Sequence, residues 1–142
     1  MNLHPCLGCC GGGKDAMHPC VQRDDMEQIY EAYQKADLIV LASPLYYWNV
    51  SGQLKCAIDR LFAIAELDPN YVNPHKAAAM LMAAEDTYEH TFTPMRNYFD
   101  ALCANLGWEN CGGVFAGGNL NAGDIQKHPE QLEQARVLGA SL

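Results

Sequence analysis

Three adjacent aromatic residues follow a strongly apolar stretch of this chain, and their position favours the binding of a flat ligand. Leu38 to Ala42 is an unbroken apolar run with the length of a buried strand. Ser43-Pro44 ends this run, because proline has no N–H to donate to a β-ladder. The loop Leu45 to Asn49 comes next and reads L-Y-Y-W-N. Ligands bind outside the carboxyl ends of the strands in open parallel sheets, so these aromatic faces and the Asn49 amide suit a planar ligand with polar edges.

A second group of polar residues follows the next predicted strand, the alanine- and methionine-rich run 77–84. Glu85 and Asp86 come at its carboxyl end, and Tyr88 follows two residues later. We expect these side chains to line a second loop facing the aromatic one. Taken singly, each acid is equally typical of a solvated turn. A third wall, after a third predicted strand, would come from Gly117, Gly118 and Asn119.

Four of the seven cysteines lie close to the start of the chain, namely Cys6, Cys9, Cys10 and Cys20. A C-x-x-C pair with further cysteine and histidine nearby can hold zinc, an iron-sulfur cluster or a redox pair. The four thiols are therefore candidate metal ligands, with His4 or His18 assisting zinc, and free thiols are the alternative. The other cysteines are predicted to be small buried hydrophobic residues, and His75, His90 and His128 to be surface residues.

Composition excludes some classes of partner. The net charge is -8 with only nine Lys and Arg, which argues against a surface that binds nucleic acid or an anionic membrane. We predict neither partner. No run is long enough to span a bilayer, and Asn2, His4 and Pro5 stand where a signal peptide would need basic and then apolar residues. A cytoplasmic protein with thiols or a metal is expected rather than a disulfide framework.

The elements that position these residues alternate between helix and strand within one predicted domain, residues 1–142. Residues 1–23 show no periodicity and are predicted to be irregular. Three strands between helices indicate an α/β fold with right-handed crossovers. The predicted helices are 24–36, opened by Asp24 and Glu27 as in a capping box, a second from its candidate N-cap Ser51 to Ala65, a third from Thr93 to Leu106 with Gly107 as its stop, and a fourth from Pro129 with Leu132, Ala135 and Leu138 inward. Lys55 and Asp59 can pair across one turn of the second helix. The predicted strands are 38–42, 77–84 and 112–117, and the glycines of the last suggest close backbone approach or a neighbouring loop.

The segment S-P-L-Y-Y-W-N-V-S-G-Q-L-K-C-A-I-D-R closely resembles the flavin-holding loop and helix of NAD(P)H-dependent FMN reductases, including the iron-sulfur flavoprotein branch. The resemblance continues in C-L-G-C, in Q-R-D-D-M and in G-D-I-Q-K-H-P-E-Q-L-E-Q-A-R-V-L-G. It implies that Pro44, Leu45, Tyr46, Tyr47, Trp48 and Asn49 lie along the isoalloxazine ring of FMN. It implies no catalytic acid or base, because the flavin carries the chemistry.

The resemblance implies a flavodoxin-like three-layer sandwich. That fold has five parallel strands in the order 2-1-3-4-5, and this sequence matches the last three, so an N-terminally truncated fold is expected. The phosphate-binding loop after the family's first strand has no counterpart here, which puts retention of FMN in question. The first strand would then have an open edge, and we expect a homo-oligomer through this edge or through the flavin-side face. The third cysteine of the iron-sulfur motif is replaced by Gly12, which argues against a cluster.

Two main functions remain open from the sequence. The first is an FMN-dependent oxidoreductase that moves electrons from NAD(P)H to a small-molecule acceptor. The second is a truncated flavodoxin-like module that binds or assembles without catalysis, with or without a metal at the cysteines. A metal or redox sensor built on the cysteine loop is a third hypothesis.

Overall fold

The structure is a computed structural model that describes residues 1–142. Helices and strands alternate as the sequence predicts, but the second of the four predicted helices is divided in two, which gives five helices with three strands and two short 3₁₀ turns. No helix has both the length and the apolar character needed to cross a membrane. The helices are α1 (Met26–Lys35), α2 (Gly52–Arg60), α3 (Phe62–Ala65), α4 (Thr93–Leu106) and α5 (Pro129–Ser141), and the strands are β1 (Leu38–Pro44), β2 (Ala77–Ala83) and β3 (Glu109–Ala116).

The three strands form one parallel sheet in the order β1-β2-β3. Strand β1 pairs with β2 over its whole length, from Leu38 opposite Ala77 to Pro44 opposite Ala83. Strand β3 carries an irregularity opposite Ala78 to Met80, where Gly112 has φ of 87°. A Cβ on Gly113 would stand 2.5 Å from the Met80 carbonyl oxygen, which confirms the close backbone approach predicted from the paired glycines.

Helices cover both faces of the sheet. Alternate residues of β2, namely Ala78, Met80 and Met82, join α1, α2 and α4 in a single buried core. On the opposite face, α5 packs on β3 and borders a groove with Ala42 and Leu81. These are the layers of a three-layer α/β sandwich, and the predicted α/β fold class is confirmed.

Strand β1 is an edge strand. The Leu45 N–H donates to the Ala83 carbonyl and the Ala77 N–H to the Asp37 carbonyl, so odd-numbered backbone groups of β1 face β2. Even-numbered groups therefore face away from the sheet. Pro44, which lacks an N–H, lies on this outer side, where it interrupts no ladder bond.

Four details of the sequence prediction were wrong. Helix α2 ends at Arg60 rather than continuing to Ala65, and Phe62 is exposed. Leu132, Ala135 and Leu138 of α5 were predicted to be buried, but α5 has no buried residue. This helix packs on β3, and the rest of that face of the sheet is open. The N-terminal capping box is incomplete, since Asp24 accepts from the Met26 N–H while Glu27 bonds His18 instead. Of the three later cysteines only Cys103 is buried; the other two, Cys56 and Cys111, are half-buried.

Candidate functional site

A two-residue turn of aromatic side chains follows β1. Tyr46 and Asn49 exchange backbone hydrogen bonds, at 2.9 Å and 3.0 Å, and close a tight hairpin. The two residues at its tip, Tyr47 and Trp48, both have positive φ, at 46° and 57°. Side chains other than glycine rarely adopt this conformation, and such strain clusters at binding sites. Tyr47 is 95% exposed and Trp48 57% exposed, so the strained turn presents aromatic surface to solvent.

Polar side chains on either side hold the aromatic turn. The Ser43 hydroxyl accepts a hydrogen bond from the Ser51 N–H at 2.8 Å, which ties the end of β1 to the start of α2. The Asn49 side-chain oxygen accepts from the Val50 N–H at 2.8 Å. Ser51 itself caps α2 by accepting from the Leu54 N–H, as predicted. The base of the turn is therefore fixed although its tip is exposed.

The second wall comes from the residues after β2. Asp86 accepts from the Tyr88 N–H at 2.9 Å and from the Thr91 hydroxyl at 2.7 Å. The Tyr88 N–H and then the Thr91 hydroxyl lower the pKa of Asp86. The carboxylate is thus ionised at neutral pH and holds its loop in place.

The two walls border an open cavity of about 580 Å³, within the size range of small-molecule sites. Both walls follow the carboxyl ends of neighbouring parallel strands, which meet at one edge of the sheet as expected from the sequence. Neither lysine nor arginine lines this cavity. Its lining residues are Leu45, Tyr46, Tyr47, Trp48, Ala84, Glu85, Asp86 and Thr91.

Three predicted site residues lie near the cavity without lining it. Pro44 is the last residue of β1, and Asn49 lies at the base of the turn. Tyr88 is exposed and stacks on His90, with ring centroids 5.4 Å apart. Their roles toward a ligand stay predictions.

The loop 117–119, predicted as a third wall of the site, packs against the acidic loop that follows β2. The Asn119 N–H donates to the Ala84 carbonyl at 2.8 Å, and the Gly118 N–H to the Glu85 carbonyl at 3.2 Å. A Cβ on Gly117 would stand 2.6 Å from the Asp86 carbonyl oxygen, so glycine allows the two loops to pack. The 117–119 loop therefore positions the acidic loop from behind.

The four N-terminal cysteines gather elsewhere, around a cavity beside the end of α2. All four thiols are free. No three side chains of Cys, His, Asp or Glu converge in a geometry that could hold a metal ion. The predicted ligand role of Cys6, Cys9, Cys10 and Cys20 stays a prediction.

Sequence reasoning missed three residues that shape these sites, namely Ser43, Arg60 and Thr91. Ser43 and Thr91 act through hydrogen bonds to residues eight and five positions away. For Ser43, the signal available in the sequence was its position immediately before the strand-ending Pro44. Arg60 is buried because residues 4–24 fold over it, and no local pattern indicates this contact.

The parallel sheet between two helix layers, with its loops at the carboxyl edge, defines a flavodoxin-like protein. The structure resembles the Trp repressor binding protein from Bacillus subtilis, with a TM-score of 0.71 and 26% sequence identity over 82% of this chain and 73% of that protein. The model of the family described as NADPH-dependent FMN reductase matches residues 3–105. The chain belongs to this family.

Several archaeal iron-sulfur flavoproteins are also similar in sequence. One from Archaeoglobus fulgidus is 46% identical over 59 residues, which are 42% of this chain and 26% of that protein. One from Methanosarcina thermophila is 38% identical over 77 residues, 54% of this chain and 38% of that protein. The chain thus spans less than half the length of these relatives, and their names do not indicate a cluster in it.

Proposed function

We propose that the cavity between the aromatic turn and the acidic loop binds the isoalloxazine ring of FMN. The observation that carries this proposal is the strained, exposed pair Tyr47 and Trp48 beside a cavity of about 580 Å³. Aromatic side chains stack on flat heterocycles, and a strained turn that exposes them needs a binding role to explain it. The membership in the FMN reductase family supports the same ligand.

The activity that this site suits best is an FMN-dependent oxidoreductase that moves electrons from NAD(P)H to a small-molecule acceptor. Bound FMN would supply the hydride and electron chemistry. The residues of the chain bind and orient: Tyr46 and Trp48 offer ring faces, and Thr91 holds Asp86. We assign no acid or base in the chain. Seven cysteines, an odd number, favour thiols over a disulfide framework, and on that ground we propose the cytoplasm.

The cavity residues fit the ring better than the phosphate of FMN. No Lys or Arg lines the cavity, whereas two carboxylates, Glu85 and Asp86, do. The phosphate must therefore find its partners outside these eight residues. This observation also supports the second candidate, a flavodoxin-like module that binds or assembles without catalysis.

We further propose that a second copy of the chain pairs along the open edge of β1. The edge is apolar and its outward backbone groups have no partner. Such an edge tends strongly to pair with a strand of another chain. Val40 is 45% exposed there, although it lies in the middle of a strand. Such a homodimer would extend the sheet across both chains.

FMN titration and a nicotinamide assay separate the two candidate functions. If the protein is an oxidoreductase, FMN fluorescence should be quenched saturably in the titration. In the assay, the absorbance of NADPH or NADH should then fall in a manner that depends on FMN and on an added quinone or ferricyanide. A module that binds without catalysis predicts quenching but no nicotinamide oxidation above that of free FMN. Absence of quenching at micromolar protein would contradict a ring site in this chain.

A further inference from the structure

The cavity between the aromatic turn and the acidic loop carries negative charge that no group on its wall neutralises. Glu85 and Asp86 are the only charged residues that line it. Neither carboxylate forms an ion pair with a lysine, arginine or histidine. Glu85 is exposed and Asp86 is half-buried, so both charges lie at the boundary with solvent. The open cavity is therefore a region of negative potential.

The acidic wall of the cavity is held in position by hydrogen bonds. The Glu85 carbonyl accepts from the Gly118 N–H at 3.2 Å, which fixes the backbone that carries the first acid. The carboxylate of Asp86 accepts from the Tyr88 N–H at 2.9 Å and from the Thr91 hydroxyl at 2.7 Å. A carboxylate bonded in this way does not swing away into water. The negative charge is thus a constant feature of the wall.

The opposite wall offers aromatic faces. Tyr46 is 61% exposed and Trp48 57% exposed, and both line the cavity. The faces of such rings attract cations electrostatically, and they also stack on flat molecules. Aromatic faces and carboxylates around one open cavity, without a lysine or arginine, form a donor set that recognises flat organic cations.

A metal ion and an anion would both suit this cavity less well. No three side chains of Cys, His, Asp or Glu converge in a geometry that could hold a metal ion, and aromatic rings fill the facing wall. An anion would meet two carboxylates and no positive charge. A neutral ring is neither attracted nor repelled by the net charge of the wall, which leaves the flavin ring compatible with it.

We propose that the electron acceptor admitted by this cavity is a flat organic cation, and that Glu85 and Asp86 select for its positive charge. This inference rests on the proposed oxidoreductase function. The cation accepts the hydride that NAD(P)H gives up, so the donor becomes NAD(P)⁺ and the acceptor becomes a neutral molecule. No further reductant or proton is needed. Because the reduced acceptor has lost its charge, the acidic wall holds it less tightly and it leaves.

Equilibrium binding to the full-length chain without cofactor tests the charge selection apart from catalysis. The probes are methylene blue, a flat tricyclic cation, and resorufin, a flat tricyclic molecule that is an anion at mildly alkaline pH. Methylene blue should bind about tenfold or more tightly than resorufin at low salt. The difference should shrink in concentrated salt, because ions screen the charges of an open cavity.

Glu85→Gln separates the charge of the cavity from the net charge of the whole protein, which is -8. Only the backbone of Glu85 is hydrogen-bonded, so the substitution removes a charge without loosening the loop. It should weaken methylene blue binding about threefold and strengthen resorufin binding about threefold. Glu109→Gln is the matched control, because Glu109 is an exposed glutamate at the amino end of β3, on the opposite edge of the sheet. The control should change neither affinity.

Turnover with NADPH and FMN tests whether the cation is the acceptor. In Glu85→Gln the kcat/KM for methylene blue should fall and that for resorufin should rise, and a damaged fold would not produce changes of opposite sign. Changes in the same direction would overturn the proposal, as would equal effects of Glu85→Gln and Glu109→Gln on dye binding.

FMN quenching in the same preparations keeps this outcome separate from that of the proposed function. Saturable quenching together with equal affinities for the two dyes would overturn the charge selection and leave the ring site standing. No quenching together with a preference for methylene blue that only Glu85→Gln reduces would support the charge selection and contradict the ring site.

Discussion

Trp48 provides the most direct test of a ring site at the scale of one residue. Trp48→Ala should weaken FMN binding by about 1–3 kcal/mol, roughly 5-fold to 150-fold, because it removes a stacking face. Fluorescence titration with FMN measures the change. Tyr71→Ala is the control, since Tyr71 is also an exposed aromatic residue with positive φ but does not line the cavity. Equal affinities for both variants would contradict a contact between Trp48 and the ring.

Asp24 should make the stability of the protein depend on acid pH. Burial would raise its pKa, but hydrogen bonds from Arg60 and from the His4 and Met26 N–H groups lower it to about 2. An unfolded aspartate titrates near 3.9, so the stabilisation is present above that pH and is lost as pH falls toward 2. Asp24→Asn should lower the free energy of unfolding at pH 7 by about 3–5 kcal/mol, because a buried cation loses its partner.

Chemical denaturation between pH 7 and pH 2.5 checks this prediction. The stability of Asp24→Asn should fall less over that range than the stability of the wild type. Asp37→Asn is the control, because Asp37 is exposed and its side chain forms no ion pair. Parallel pH curves for wild type and Asp24→Asn would show that the Asp24–Arg60 pair has no such role.

At the scale of elements, Ser43 connects β1, the aromatic turn and α2. Ser43→Ala removes the acceptor of the Ser51 N–H and should cost about 1–3 kcal/mol in the free energy of unfolding. It should also weaken FMN binding, since the base of the turn loses its anchor. Thermal denaturation and FMN titration measure the two effects, with Ser141→Ala at the exposed end of α5 as control. Unchanged FMN affinity in a destabilised variant would assign Ser43 a structural role alone.

Elements whose signals are local could be predicted from the sequence. The apolar runs that became β1 and β2, the Ser51 cap and the Gly107 stop depend on a few adjacent residues, and the structure has all of them. The Lys55–Asp59 ion pair is local as well and is present. These features explain why the aromatic loop and the acidic loop could be placed at one edge.

Features that depend on distant contacts could not be predicted. The apolar stripe of α2 continues to Ala65, but the helix breaks after Arg60, where residues 4–24 close over the arginine. The apolar residues of α5 predict burial, yet Leu132 is exposed because the sheet beside β3 is uncovered. Positive φ at Tyr47 and Trp48 runs against local propensity, so only the hydrogen-bonded turn reveals it.

At the scale of the whole molecule, the open β1 edge predicts a homodimer. The outward backbone groups of β1 belong to even-numbered residues, so Ala42→Pro removes an edge donor without removing a β1–β2 hydrogen bond. We expect the wild type and Ala42→Ser to sediment as dimers and Ala42→Pro as a monomer in analytical ultracentrifugation. A monomeric wild type at tens of micromolar concentration would contradict pairing along this edge.

The absorbance spectrum of the purified full-length chain during titration with FMN tests the ring site most directly. Binding in the aromatic cavity predicts a saturable shift of the flavin bands, together with quenching of FMN fluorescence, and a weaker response in Trp48→Ala. Flavin bands that stay those of free FMN at saturating protein, for both wild type and variant, would show that this aromatic turn does not hold a flavin ring.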